Sequence, residues 1–180
     1  MTTILRSLLM STAGILGASL SIMYGEQKPE PPKLDLAFDL HLELGKPMDI
    51  GKIGTAGMRR VAPVLGGSLQ GPSLSGKILP GADYQIIHPD LLTEIDAHYV
   101  VQLESGDLLY VTNRGVRHGP MEVLQKLAAG EKVDQSLIYF RTVVTVETAV
   151  PALQWMNRTI FIARGERLPN EAVIHVFRVN

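Results

Sequence analysis

Eleven consecutive residues, LDLAFDLHLEL from Leu34 to Leu44, alternate in character along the chain. Leu34, Leu36, Phe38, Leu40, Leu42 and Leu44 fall on one side. Asp35, Ala37, Asp39, His41 and Glu43 fall on the other. Successive side chains of an extended chain point to opposite faces, so this stretch predicts a half-buried β-strand. Such a strand needs partners.

GMRRVAPVLGGSLQGPSLSGKILPGADYQIIHPD (57–90) is dense in glycine and proline, with the short apolar pieces RRVAPVL, SLSGKIL and DYQIIH between the breakers. Short strands with frequent turns belong to an antiparallel sheet that bends sharply or closes on itself. TEIDAHYVVQLESGDLLYVTN (93–113) predicts a β-hairpin with Ser-Gly at its tip. IYFRTVVTVET (138–148), RTIFIAR (158–164) and EAVIHVFRV (171–179) predict further strands, and PALQWMN (151–157) a helical turn. Only GPMEVLQKLAAGEKVD (119–134) has helical spacing, with Pro120 and Glu122 at its start and Gly130 able to end it. Many strands and one helix near 120–129 predict a mainly β fold: a single antiparallel β-barrel, or a strongly bent sandwich, with one packed helix. They exclude a doubly wound α/β fold.

The expected barrel domain spans residues 34–180. Before it, MTTILRSLLMSTAGILGASLSIMYG (1–25) has one early cation, Arg6, then an apolar run with small residues interleaved. This predicts a signal peptide, with an uncleaved membrane anchor over residues 4–24 as the alternative. The protein is then exported, periplasmic or extracellular, or held at a membrane. EQKPEPPK (26–33) predicts an extended proline-rich linker. A formal net charge of −1 gives no electrostatic footprint for nucleic acid. There is no cysteine and no HxH or HExxH pair, so neither a thiol nucleophile nor a preformed metal site has sequence support. No dinucleotide fingerprint or P-loop is present, and no cofactor is expected. Homo-oligomerisation is left open.

The hairpin carries the functional expectation. If Ser105 and Gly106 form a two-residue tip, His98 faces Asn113 and Asp96 lies beside Gly115, and opposite residues share a face. Asp96, His98 and Asn113 would then look one way together, with Glu94 and Arg117 at the open end. The bland alternative is a polar face turned to water. On the functional reading the face lines a barrel mouth, where carboxylate, imidazole and guanidinium support proton transfer. Asp83, after a Pro-Gly turn, is either a turn cap or a second acid. Arg141 and Glu147 share a face of one strand and are either solvated charges or the flanks of a ligand. Trp155 is the sole tryptophan and suits packing better than a stacking platform.

Five blocks in matching order, GGSLQGPSLSGKILPGADYQ (66–85), IDAHYVVQLESGDLLYVTNRGVRHGP (95–120), YFRTVVTVET (139–148), WMNRTIFIARGERLP (155–169) and VIHVFRV (173–179), resemble the family called domain of unknown function 3237. The resemblance runs from about Leu34 to the C-terminus. It implies a compact antiparallel barrel with a helix at one side and a central cavity. It also marks Asp83, Asp96, Asn113, Arg141, Thr142, Glu147, Trp155 and Asn157 as family positions. The expectation is a cofactor-independent acid–base enzyme, of isomerase, lyase or cyclase type, on a small carbonyl- or carboxylate-bearing molecule. Asp96, His98 and Asp83 would be catalytic, and Asn113, Arg117, Arg141, Glu147, Trp155 and Asn157 would bind substrate. Two alternatives remain: a non-catalytic carrier of a small hydrophobic ligand, and a filled barrel with no cavity.

Overall fold

In a computed structural model that describes residues 28–180, the alternating stretch is strand β1 (Leu34–Leu44). The expected signal or anchor segment lies outside the described residues. Nine strands follow: β2 (Met48–Lys52), β3 (Met58–Gln70), β4 (Ser75–Ile78), β5 (Gly81–Ile87), β6 (Thr93–Leu103), β7 (Leu108–His118), β8 (Tyr139–Glu147), β9 (Phe161–Arg167) and β10 (Glu171–Val179). Helix α1 (Met121–Ala128) joins β7 to β8, and a short 3-10 helix (Pro151–Arg158) joins β8 to β9. All strand pairs are antiparallel.

The sheet closes. From β1 the order runs β10, β9, β8, β7, β6, then β4 and β5 together as one broken stave, then β3, which pairs back onto β1. That is a closed eight-stave barrel, with β2 as an extra strand on the first half of β3. Closure leaves the staves no free edge, which suits strands this rich in apolar side chains. Phe38, Leu40, Leu69, Val101, Leu109, Val144, Phe161 and Val176 are almost wholly excluded from solvent and form the filled end of the interior.

Two expectations are corrected here. Residues 58–70 are not short pieces between breakers but one strand of 13 residues. Gly67, at φ +139°, lets that strand bend against β1, where a Cβ would lie 1.9 Å from the His41 carbonyl oxygen. Across the bend the inward positions change from Ala62 and Val64 to Leu69, so no single alternation runs through the strand. In β1, a register shift between Leu36 and Phe38 leaves Leu34 and Leu36 half-exposed, whereas Phe38, Leu40 and Leu42 enter the core.

The hairpin of β6 and β7 also departs from expectation, and its register sets the site. The β6–β7 pairing places Leu108 opposite Gln102, Thr112 opposite His98 and Asn113 opposite Ala97. The tip therefore holds three residues between Leu103 and Asp107, with Gly106 at φ +91°. A glycine in the left-handed region closing such a loop is a recognised alternative to the two-residue turn. One added residue moves every side chain of β7 to the other face relative to β6.

Candidate functional site

The inward row created by this register runs Ala62, Asp83, Ala97, Asn113 and Val144 across β3, β5, β6, β7 and β8. Alanine on either side of Asp83 leaves room. The neighbouring inward rows add Arg60 opposite Gln85, and Thr93 opposite Arg117 beside Phe140. Together they line a cavity of about 290 Å³ at one end of the barrel. Arg167 at the end of β9 joins them, and Leu124 and Leu127 of α1 cover part of the opening. Leu124 is the buried residue of that helix, so its apolar side is spent on the cavity.

Asp83 is the acid of the cavity. Its Oδ2 accepts from Gln85 Nε2 at 2.6 Å and its Oδ1 from the backbone N–H of Asp96 at 3.1 Å. The β5–β6 register skips Tyr84 and Gln85, and the carboxylate takes up a backbone donor beside that gap. Burial raises the Asp83 pKa above its ordinary value, and the two hydrogen bonds and Arg117 offset this only in part. An enclosed carboxyl held toward its neutral form is equipped to give and regain a proton.

The cations of the cavity are unevenly paired. Arg60 meets Asp49 through both nitrogens of a fork. Arg117 reaches only Thr93 Oγ1, at 3.4 Å, and the face of Phe140, at 5.9 Å. Its Nε is sealed from solvent with no hydrogen-bond partner. Burial, with Arg167 and Arg60 nearby, pushes its pKa down to about 10 despite the pull of Asp83. Arg167 donates to the Glu171 carbonyl at 3.2 Å, and burial with Arg60 lowers its pKa too. Among the described residues neither Arg117 nor Arg167 has a carboxylate oxygen within 4.0 Å. Asn113 is 1% exposed and its Oδ1 has no partner. The neighbouring Tyr99 hydroxyl and Thr142 Oγ1 are likewise buried without one.

Of the residues singled out in the sequence, Asp83, Asn113 and Arg117 therefore meet in the cavity. Asp96 and His98 do not. They lie side by side on the outer wall, with His98 Nε2 2.7 Å from Asp96 Oδ1 and His98 Nδ1 2.8 Å from the Tyr110 hydroxyl. Arg114 Nε also donates to Asp96 Oδ1 at 2.7 Å. The expected inward grouping of Asp96, His98 and Asn113 fails because the hairpin tip holds three residues. Glu94, expected at the same open end, also lies outside, against His88 at 2.7 Å.

Arg141 is exposed on the outside of β8, over the Tyr139 ring and donating to the Phe140 carbonyl. Glu147 is exposed on the same outer face. Trp155 is 41% exposed, packed against Phe161 and beneath the Arg178 guanidinium. Asn157 clasps Thr148 through both amide groups, Oδ1 to its N–H and Nδ2 to its carbonyl, and so fixes the exit of β8. Gln85, Thr93, Arg60 and Arg167 line the cavity but were not foreseen. Thr93 and Arg167 each end the otherwise apolar inward side of a strand, a pattern that could have found them, whereas Arg60, between Met58 and Ala62, and Gln85, beside Asp83, carry no such mark.

Among the described residues no cluster of three or more His, Asp or Glu is placed to hold a metal ion. No described helix is long and apolar enough to cross a membrane.

Residues 32–179 match the family model described as Protein of unknown function (DUF3237). A UPF0311 protein of Rhodopseudomonas palustris (strain TIE-1) is 46% identical over 143 residues, covering 79% of this chain and 93% of that one. A crystal structure of a conserved protein of unknown function from Rhodopseudomonas palustris superposes with a TM-score of 0.82 at 40% identity, over 84% of this chain and all of that one. More distantly, a hydroalkoxylation enzyme of Penicillium herquei is 29% identical over 85 residues, 47% of this chain and 56% of that one. A crystal structure of an enzyme from Penicillium herquei shares the fold, with a TM-score of 0.64 at 18% identity over 85% of this chain and 98% of that one.

Proposed function

The chain belongs to the DUF3237 family, and from that premise we propose that its cavity catalyses cofactor-independent proton transfer on a small carbonyl- or carboxylate-bearing molecule, with Asp83 as acid and base. The observation that carries this reading is Asp83 itself. It is the one carboxyl among the cavity-lining residues, it is held by hydrogen bonds on both oxygens, and burial raises its pKa. Arg117 and Arg167 offer positive charge where an enolate or oxyanion would develop, and Asn113 an amide in the same row as the acid.

The distant hydroalkoxylation relative indicates what such a site can do. In an addition of that class, an O–H adds across a C=C bond. The carboxyl gives its proton to one carbon, the substrate oxygen bonds to the other, and the hydroxyl proton returns to the carboxylate. Atoms and charge balance with no external reagent, so an enclosed acid with an oxyanion seat suffices. Ring closure, isomerisation and elimination need the same two proton movements.

The test is exchange of solvent deuterium into carbon. The protein is incubated in D2O with a panel of olefinic phenols and enolisable keto acids, and products are read by mass spectrometry. We expect mass gain or ring closure with the wild type, and neither with Asp83→Asn. A wild type that binds panel members saturably but returns them all undeuterated would be a carrier and not an enzyme. An active Asp83→Asn would remove Asp83 from the chemistry.

A further inference from the structure

Two guanidinium groups without a counter-ion are costly to enclose unless something neutralises them. Arg117 and Arg167 both line the cavity. Neither has a carboxylate within 4.0 Å among the described residues, while Arg60 beside them is satisfied by Asp49. The hydrogen bonds they do make, to Thr93 Oγ1 and to the Glu171 carbonyl, bring no counter-charge, and Asp83 attracts both only from beyond ion-pair distance. Asp83 is the remaining acid of the cavity, and its oxygens are taken by Gln85 and the Asp96 N–H. The sealed Arg117 Nε and the buried Asn113 Oδ1 both lack partners. The remaining lining is largely apolar and includes Leu42, Leu44, Met58, Leu124 and Leu127.

We infer that the cavity takes a small organic acid as its anion, the carboxylate against Arg117 and Arg167, the apolar body along the Leu42 and Leu124 side, and a hydroxyl toward Asn113. This rests on the proton-transfer reading and narrows its substrate class: the molecule arrives negatively charged, and its reactive carbon lies near Asp83. Guanidinium suits the task because its planar fork matches a carboxylate. The enclosed setting makes the anion the specificity handle, because a neutral ligand would leave both cations unmatched.

Benzoate and benzamide, which share size and shape but not charge, separate the possibilities. Titration calorimetry on the full chain should show saturable benzoate binding, with benzamide at least about tenfold weaker. Arg167→Gln should weaken benzoate by at least about tenfold. Arg141→Gln, on the outer wall, should leave it within about twofold. Arg117→Met tests the second cation, and if that variant does not fold, Arg167→Gln decides alone. Equal affinity for the two probes, no saturable benzoate binding in the wild type, or undiminished binding by Arg167→Gln would each overturn the inference. Because benzoate need not react, losing it ends the anion reading only. Binding that persists in both wild type and Asp83→Asn without any proton exchange ends the catalytic one only.

Discussion

The Asp83 carboxylate accepts the backbone N–H of Asp96 at 3.1 Å, so the acid inside the barrel and an acid on its outer wall are joined through one peptide unit. The two carboxyls answer to different surroundings. Burial raises the Asp83 pKa, and the surrounding hydrogen bonds and Arg117 do not fully cancel it. Burial raises Asp96 as well, but Arg114 and His98 outweigh it and hold Asp96 below its ordinary value.

Asp83→Asn is expected to abolish proton exchange while keeping the fold, and to raise the melting temperature at neutral pH. The raised pKa means that the folded state holds this proton more tightly than the unfolded chain. The stability tied to it is present below the ordinary pKa of 3.8 and is lost as pH rises through the higher folded-state value. Removing the charge should therefore help above that window, by roughly 2–4 °C for each kcal/mol recovered, and make little difference below pH 3.8. Thermal scans of both proteins across acid and neutral pH check the sign.

Asp96→Asn is expected to leave ligand binding and turnover unchanged, because Asp96 and His98 sit outside the cavity. Its side chain is substantially exposed, so the loss of stability should not exceed about 1 kcal/mol. The lowered folded pKa places that contribution above the ordinary 3.8, fading as pH falls through the folded-state value. Chemical denaturation of the pair at pH 7, with turnover in parallel, checks both halves.

Gly165→Ala is expected to damage both stability and the anion seat. A Cβ there would lie 2.4–2.5 Å from three carbons of the buried Phe140 ring. Overpacking of this kind typically costs about 1–3 kcal/mol. The displaced ring is the one beneath the Arg117 guanidinium, so benzoate affinity should fall as well. Benzoate titration of a folded Gly165→Ala protein reads the second effect separately from the first.

Gly106→Ala is expected to destabilise the fold by about 1–2 kcal/mol, because the tip of β6–β7 requires φ +91° at that position. No side chain or backbone atom lies near enough to obstruct the added methyl. The effect is thus conformational strain, and Gly106→Asn should recover part of it. Denaturant midpoints of the two variants give the comparison.

Much of the barrel was legible because strands buried on one face write a period of two. β1 and β10 fall where LDLAFDLHLEL and EAVIHVFRV place them, and α1 where the helical spacing sits. β3 was not legible as one strand, since Pro63 and the Gly66–Gly67 bend interrupt its alternation and switch its inward side. The site was half legible. Asp83, Asn113 and Arg117 stood out as candidates, but the facing of β6 against β7 turns on one residue at the tip. Ser-Gly fits a two-residue turn and a three-residue loop alike. Gln85 lies two residues along β5 from Asp83 and Arg60 is set beside it by the β3–β5 pairing, whereas only closure of the sheet brings Arg167 of β9 to the same cavity.

Asp83 has Ala62 on one side and Ala97 on the other, both buried. Those two methyl groups set how bulky a guest can be next to the acid, and neither carries charge. Chamber width and reactivity are thereby written at separate positions. Exchanging either alanine for valine would narrow the range of guests while every ionisable group of the cavity stayed as it was, so relatives could diverge in what they accept while keeping a common chemistry.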